Sequence, residues 1–433
     1  MNQSTNSAQP RALWSLCLVE LFERLAASAL FPLFAIYLHE RCGLAEGDAI
    51  AISSSLLAAT YLSSVPAGYL ADHYLSAHRA SLLGLTLLVF GYSVLALDRL
   101  FLLWPALMLL TVGMGLFRTG ITAALAALYE PKDPLRDEGF GWFYLAVNVG
   151  YVCGPLLAEG CRAKWGWSAV LLLTMLAMSS GLVVAMFARG HLSASRHKPA
   201  LVSHADCSRV QEKQRLHALV LVCGLAVVFF MAIQHTGGPL ALFAQDQTAR
   251  LLVVSKWSLE LRPGHYATLH GLFVLLLLPL LNRLSARLRS HRCEPSTAAK
   301  LAWGFLFTTA AFGLMIVASS DNHTRSTLVS PYWLVGFYFL LSVGELLLSP
   351  MGLSLVTGLA PAGRAGRMVG WWYASGALGY WVAGAMGWLW SRWPHRHYFA
   401  LVVAMLMIAA GVLASRLRSL DMALRSMQQH KPK

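Results

Sequence analysis

Long apolar runs separated by short polar segments recur from one end of the chain to the other. Read through a window of about 19 residues, this pattern predicts twelve membrane-crossing helices. In the first half they cover 12–38, 49–71, 80–97, 101–128, 139–159 and 168–188. In the second half they cover 217–245, 265–281, 298–319, 331–358, 367–390 and 397–415. Residues 189–216 are polar and basic, with Arg189, Arg196, Lys198, Arg209, Lys213 and Arg215. They read as a cytoplasmic linker between an N-terminal six-helix bundle, 1–188, and a C-terminal six-helix bundle, 217–433, which ends in a short cytoplasmic tail.

Composition supports an all-α polytopic membrane protein. Of 433 residues, 57% are hydrophobic and only 12% charged, against about 25% charged in a soluble domain. The net charge of +14 invites a nucleic-acid reading, but the basic residues collect in alternate loops. About two thirds of the lysines and arginines fall on the side that holds both termini, which the positive-inside rule makes cytoplasmic. The polar start, Met1 to Pro10, leads directly into the first span, with no cleavable leader apparent. The seven cysteines are scattered without a C-x-x-C pair and imply neither a metal site nor a disulfide framework. No HExxH, GxSxG or P-loop pattern occurs, so enzymatic chemistry is not expected.

Charges inside the spans carry the chemistry. Glu20, Glu23 and Arg24 are spaced i, i+3, i+4 and share one helix face. Each costs roughly 2.5–3.5 kcal/mol to insert, so the cluster belongs in a protein interior or a wet cavity. Arg24 can neutralise one carboxylate. Arg118, within Gly113-Met114-Gly115-Leu116-Phe117-Arg118-Thr119-Gly120, is the natural partner for the other. Tyr144 and Asn148 share a face of the fifth span, as a ligand-binding pair or as interhelical glue. In Gln234-His235-Thr236-Gly237-Gly238-Pro239 the Gly-Gly-Pro breaks or kinks the helix, next to a histidine that is either titratable or simply satisfied. His270 is a weaker case of the same kind. Glu345 lies deep in the tenth span and must be paired, protonated or wet. Ser349-Pro350 kinks that span. Trp371, in Gly370-Trp371-Trp372-Tyr373, walls a pocket or faces lipid.

The loop Gly68-Tyr69-Leu70-Ala71-Asp72-His73 to Arg79 resembles the major facilitator loop motif, G-x-x-x-D-R-x-G-R, with His73 and Leu75-Ser76 departing from it. Asn282 to Arg287 is a weaker echo in the second half. That resemblance implies a major facilitator fold, with its site between the halves near the bilayer midplane. It also implies a gating role for Asp72 and Arg79, where the acid caps a neighbouring helix; the helix breaks at Pro239 and Pro350 are further gating candidates.

Over nearly its whole length the chain resembles the proton-dependent oligopeptide transporter family. Glu20-Leu21-Phe22-Glu23-Arg24-Leu25 is similar to the ExxERF motif, Gly113 to Arg118 to G-x-G-x-x-K-P-N, and Phe140 to Gly150 to F-x-x-F-Y-x-x-I-N-x-G. Gly344-Glu345 through Ser349-Pro350, with Leu359-Ala360-Pro361 and Met368 to Trp371, resembles the tenth and eleventh helices. By resemblance, Glu20, Glu23 and Arg24 carry proton coupling, Arg118 replaces the lysine that senses the peptide carboxylate, Asn148 contacts peptide backbone, and Glu345 faces the peptide amino terminus. The departures concern the pocket. Ala27 and Ser28 stand where the family has two tyrosines, Phe31 where it has an arginine, and His235 where it has the acid that pairs with that arginine.

The resemblance therefore implies proton-coupled symport of small peptides or peptide-like molecules by alternating access. Protons are the coupling ion and no cofactor is expected. The expected setting is a monomer in the bacterial inner membrane, with no nucleic-acid partner. An exporter or antiporter of a drug or metabolite on the same fold, and a sensor that binds without transporting, stay open as alternatives.

Overall fold

The computed structural model describes residues 9–129, 135–188, 209–254, 257–291, 293, 295–325, 328–359 and 365–428. Within helices and strands, the side chains of 71–72, 77, 136–137, 209–215, 254, 297, 321–325, 349–359, 365–369 and 417–428 lie outside the description.

Apolar residues dominate every long segment, and in hydrocarbon only a helix satisfies each backbone N–H and C=O within the segment. The chain is accordingly helical almost throughout. Helix α1, Arg11–Leu30, gives way to a 3₁₀ turn, Phe31–Leu33, and then to α2, Phe34–Glu40. Pro32, which lacks an N–H, sits in that turn. There follow α3 (Glu46–His73), α4 (Ala77–Ala96), α5 (Leu103–Ala126), α6 (Arg136–Trp165) and α7 (Trp167–Phe187). Beyond residue 208 come α8 (Arg209–Gln234), a 3₁₀ turn (His235–Gly237) and α9 (Pro239–Asp246). The remaining helices are α10 (Pro263–Ser290), α11 (Thr297–Arg325), α12 (Pro331–Leu359), α13 (Ala365–Trp390) and α14 (His395–Gln428).

Among the described residues, eleven helical stretches are long and apolar enough to cross a membrane. Helix α13 is the twelfth long segment. Together they make the twelve-span all-α membrane fold expected from the hydropathy pattern. Among the described residues there is also a hairpin, β1 (Leu251–Val254) paired antiparallel with β2 (Trp257–Glu260). Its eight residues are too few to span a bilayer as a helix, and the aliphatic run suits an extended strand.

The chain divides into two compact units, 1–31 with 59–200, and 32–58 with 201–433. Much of the 189–216 linker lies outside the described residues. In the first unit α1 packs against α6 and α7, and α4 against α5 and α7. The α1–α6 contact is close because α6 offers glycines. A Cβ on Gly150 would lie 2.6 Å from Arg24 Cβ, and one on Gly154 would lie 2.1 Å from Ser28 Oγ. This i, i+4 pair of small residues brings the α1 backbone near enough for Ser28 Oγ to donate to Gly150 O at 2.9 Å. In the second unit α11 packs on α12 and α14, α13 on α8, and α10 on α12.

Candidate functional site

In the first unit, α1 presents Glu20 and Glu23 on one face, both buried. Arg24 closes on both of them. Its Nε lies 3.2 Å from Glu20 Oε1 and donates to Glu23 Oε2. Its Nη1 donates to Tyr151 Oη of α6 at 3.2 Å, and Nη2 approaches Met114 Sδ of α5 at 3.8 Å. Both carboxylates are thus held by one cation on their own helix, yet each keeps a buried oxygen, Glu20 Oε2 and Glu23 Oε1, without a hydrogen-bond partner. Such an oxygen in a low-dielectric site is where a proton stabilises the carboxyl group.

Arg118 does not make the carboxylate pair expected of it. Its guanidinium carbon lies 4.4 Å from the ring centroid of Tyr61, on α3, and its buried Nη1 has no hydrogen-bond partner. The reason is positional: Arg24 is already adjacent in sequence to one carboxylate and one helical turn from the other. The result is a half-buried cation over an aromatic face with donor capacity left over, a geometry suited to a carboxylate from outside the protein.

Asn148 is buried and its Nδ2 donates to the backbone oxygen of Tyr144 at 2.8 Å. The Tyr144 side chain is exposed. Phe31 is partly exposed at the start of its 3₁₀ turn, and Ser28 is buried against α6. Arg79 is exposed; its backbone N–H is held by Ser76 Oγ, the N-cap of α4, at 3.4 Å. The side chains of Asp72 and Pro350 lie outside the described residues.

In the second unit the helix break falls where Gly-Gly-Pro demands it. Helix α8 ends at Gln234 and α9 starts with Pro239 at its N-terminus. His235, inside the break, is fully buried. Its Nδ1 donates to Met231 O at 2.7 Å and its Nε2 is 2.9 Å from Tyr398 Oη, so a neutral ring with both nitrogens occupied fits the site. Phe312 and Tyr398 flank it at 5.5 and 5.6 Å between ring centroids. Trp371 is 61% exposed, whereas its neighbour Trp372 is buried edge-on against Phe230. Glu345 lies 2.8 Å from His270 Nε2. A cavity of about 610 Å³ in this unit is lined by His39, Glu46, Asp246, Trp390 and Arg392 among others, and includes none of the residues above.

Tyr61, Tyr151 and Met114 escaped the sequence reading. Tyr151 alone left a trace, since it continues the α6 face of Tyr144 and Asn148 at i+3. Tyr61 and Met114 looked like ordinary lipid-span residues.

Comparison with known proteins agrees with the geometry. The Major Facilitator Superfamily model matches residues 16–292, more than half of the chain, and the POT family model matches residues 192–402. The chain is 28% identical to the peptide transporter YePEPT of Yersinia enterocolitica, over 89% of this chain and 90% of that one. It is 26% identical to dipeptide and tripeptide permease A of Escherichia coli, over 87% of this chain and 85% of that one. Its fold matches that of a peptide transporter POT crystallised with alafosfalin, at a TM-score of 0.87 and 24% identity over 97% of each chain. A POT family transporter crystallised with 5-aminolevulinic acid gives a TM-score of 0.88 at 21% identity, over 97% of this chain and 99% of that one. With twelve long apolar helices, an acid–acid–arginine cluster on the first and these matches along both halves, the chain is an integral membrane protein that belongs to the Major Facilitator Superfamily, and its second half matches the POT family model.

Proposed function

We propose that this protein imports small peptides or peptide-like molecules by proton-coupled symport. The observation that carries the reading is the pairing pattern of the two arginines. Arg24 neutralises Glu20 and Glu23, while Arg118 keeps a buried donor unpaired over Tyr61. Arg118 is the anchor for the substrate carboxylate. Protonation of Glu20 or Glu23 releases Arg24, which then joins Arg118 in binding that carboxylate. Deprotonation on the cytoplasmic side restores the pair on α1 and expels the substrate. Access alternates as two six-helix halves, 1–188 and 217–433, move about the 189–216 linker. Each proton moved through about 100 mV yields roughly 2.3 kcal/mol, enough for about fiftyfold accumulation of a net-neutral substrate. The setting is a bacterial inner membrane, with both termini cytoplasmic and a monomer as the working unit. The relatives named above, a peptide transporter and a di- and tripeptide permease, support this substrate class.

The test is uptake of labelled dialanine into liposomes holding the purified protein, with and without an inward proton gradient. Gradient-driven uptake that vanishes in Glu23→Gln is the expected outcome. Dialanine binding without uptake would make the protein a sensor. Neither binding nor uptake by folded, inserted protein overturns the dipeptide reading.

A further inference from the structure

The second unit holds a titratable pair of its own, made from residues 75 positions apart in sequence. Glu345 on α12 and His270 on α10 meet at 2.8 Å between Oε2 and Nε2. Oε2 is shut off from solvent and, among the described residues, accepts no hydrogen bond, although the Glu345 side chain as a whole is 29% exposed and that of His270 is 21% exposed. The approach is short but lacks the directionality of a linear hydrogen bond from the ring.

The protonation of the ring follows from its other nitrogen. Ser342 Oγ lies 2.7 Å from the backbone oxygen of Tyr338. A carbonyl cannot donate, so the single hydroxyl hydrogen of Ser342 occupies that contact. His270 Nδ1, 2.9 Å from the same Oγ, must then be the donor and carries a hydrogen. In a neutral imidazole this leaves Nε2 with a bare lone pair 2.8 Å from a carboxylate oxygen. Two such electron-rich atoms repel at that distance, and protonation of the ring turns the contact into an ion pair.

We propose that His270 and Glu345 form a second proton-binding site, which holds one proton beyond those of a neutral imidazole and is distinct from the α1 cluster. The proton comes from water on the exposed side of the pair and returns there; no other bond changes. Ser342 is the positioning residue, since its single hydrogen, committed to Tyr338 O, forces Nδ1 to donate. Among the described residues, the titratable groups around the pair are Tyr338 on α12, with its ring 5.9 Å from that of His270, and Tyr266 on α10, which stacks on Tyr338 at 6.1 Å. Both are phenols with no charge to offer near neutral pH. His235, beyond α8, commits both nitrogens to Met231 and Tyr398 and does not compete.

This inference goes beyond the transport reading and does not depend on it. The test is ¹⁵N NMR of the full-length protein in nanodiscs with labelled histidine, the His270 signals being assigned with His270→Asn or, if that variant does not assemble, with His270→Gln. Near neutral pH the expected result is proton character on both nitrogens of His270. In Glu345→Gln the same ring reverts to a neutral form with an unprotonated Nε2. A neutral His270 with a bare Nε2 in the unmodified protein overturns the proposal. So does a doubly protonated ring that persists unchanged in Glu345→Gln, because the proton is then not held by the pair.

Discussion

The guanidinium of Arg118 lies over the ring of Tyr61, 4.4 Å from carbon to centroid, and takes no carboxylate of the neighbouring helix as a partner. A half-buried cation with a buried, unpaired donor is poised for an incoming anion. Replacing it by glutamine removes a charge-assisted contact worth about 1.5–3 kcal/mol. Apparent affinity for dialanine is expected to fall about ten- to hundredfold. A C-terminally amidated peptide, measured by competition, is expected to show no comparable loss.

Tyr61→Leu keeps the charge and removes the aromatic face. A cation–π contact of about 0.5–2 kcal/mol predicts a loss of about two- to thirtyfold in the apparent affinity for the same peptide. Uptake kinetics across the two variants separate the charge from its platform: a Tyr61→Leu protein as impaired as Arg118→Gln would show that the ring does more than support the arginine.

Glu23 is buried, held by Arg24 through one oxygen and unpartnered at the other. Glu23→Gln keeps the shape and removes the titratable charge. Gradient-driven accumulation is expected to disappear, while exchange of labelled for unlabelled peptide across the liposome membrane persists. Loss of exchange together with accumulation would assign Glu23 to substrate binding or to assembly.

The contact between α1 and α6 depends on Gly154, where an added Cβ lies 2.1 Å from Ser28 Oγ and 2.6 Å from Leu25 O. One of those atoms is backbone and cannot swing aside. Gly154→Val is therefore expected to cost about 1–3 kcal/mol, seen as a lower thermal midpoint in detergent. Gly160, further along the same helix, has open space where its Cβ would fall. Gly160→Ala is expected to leave the midpoint unchanged.

His235 is closed off, with one nitrogen on Met231 O and the other on Tyr398 Oη. His235→Leu strands the buried tyrosine hydroxyl at a cost of about 1–3 kcal/mol. The expected outcome is a lower thermal midpoint with the pH profile of uptake unaltered. A shifted profile would instead make this imidazole part of the coupling.

What could be read along the chain is what local spacing controls. The twelve spans follow from hydrophobic length, because the bilayer sets a length that few other structures need. The break between Gln234 and Pro239 follows from Gly-Gly-Pro, since proline removes an N–H from the ladder. That Glu20, Glu23 and Arg24 share one face follows from the helical period alone. The span count, the position of the helix break and a charged face on the first helix are therefore legible along the chain.

Which charges meet follows from how the helices pack. Arg118 had the right type and depth to pair with an α1 carboxylate, but it lies on α5, and its reach depends on the rotation and separation of two packed helices. The placement of α1 is fixed in part by its small-residue contacts with α6 at Gly150 and Gly154, and no periodicity within α5 encodes it. Arg24, on the same helix as both acids, takes them first and leaves Arg118 to Tyr61. The His270–Glu345 pair was hidden for the same reason. A spacing of 75 residues carries no information until α10 and α12 pack, and the proton the pair holds depends on where one serine hydroxyl points. Helical period is a property of one segment; ion pairing is a property of the packing between segments.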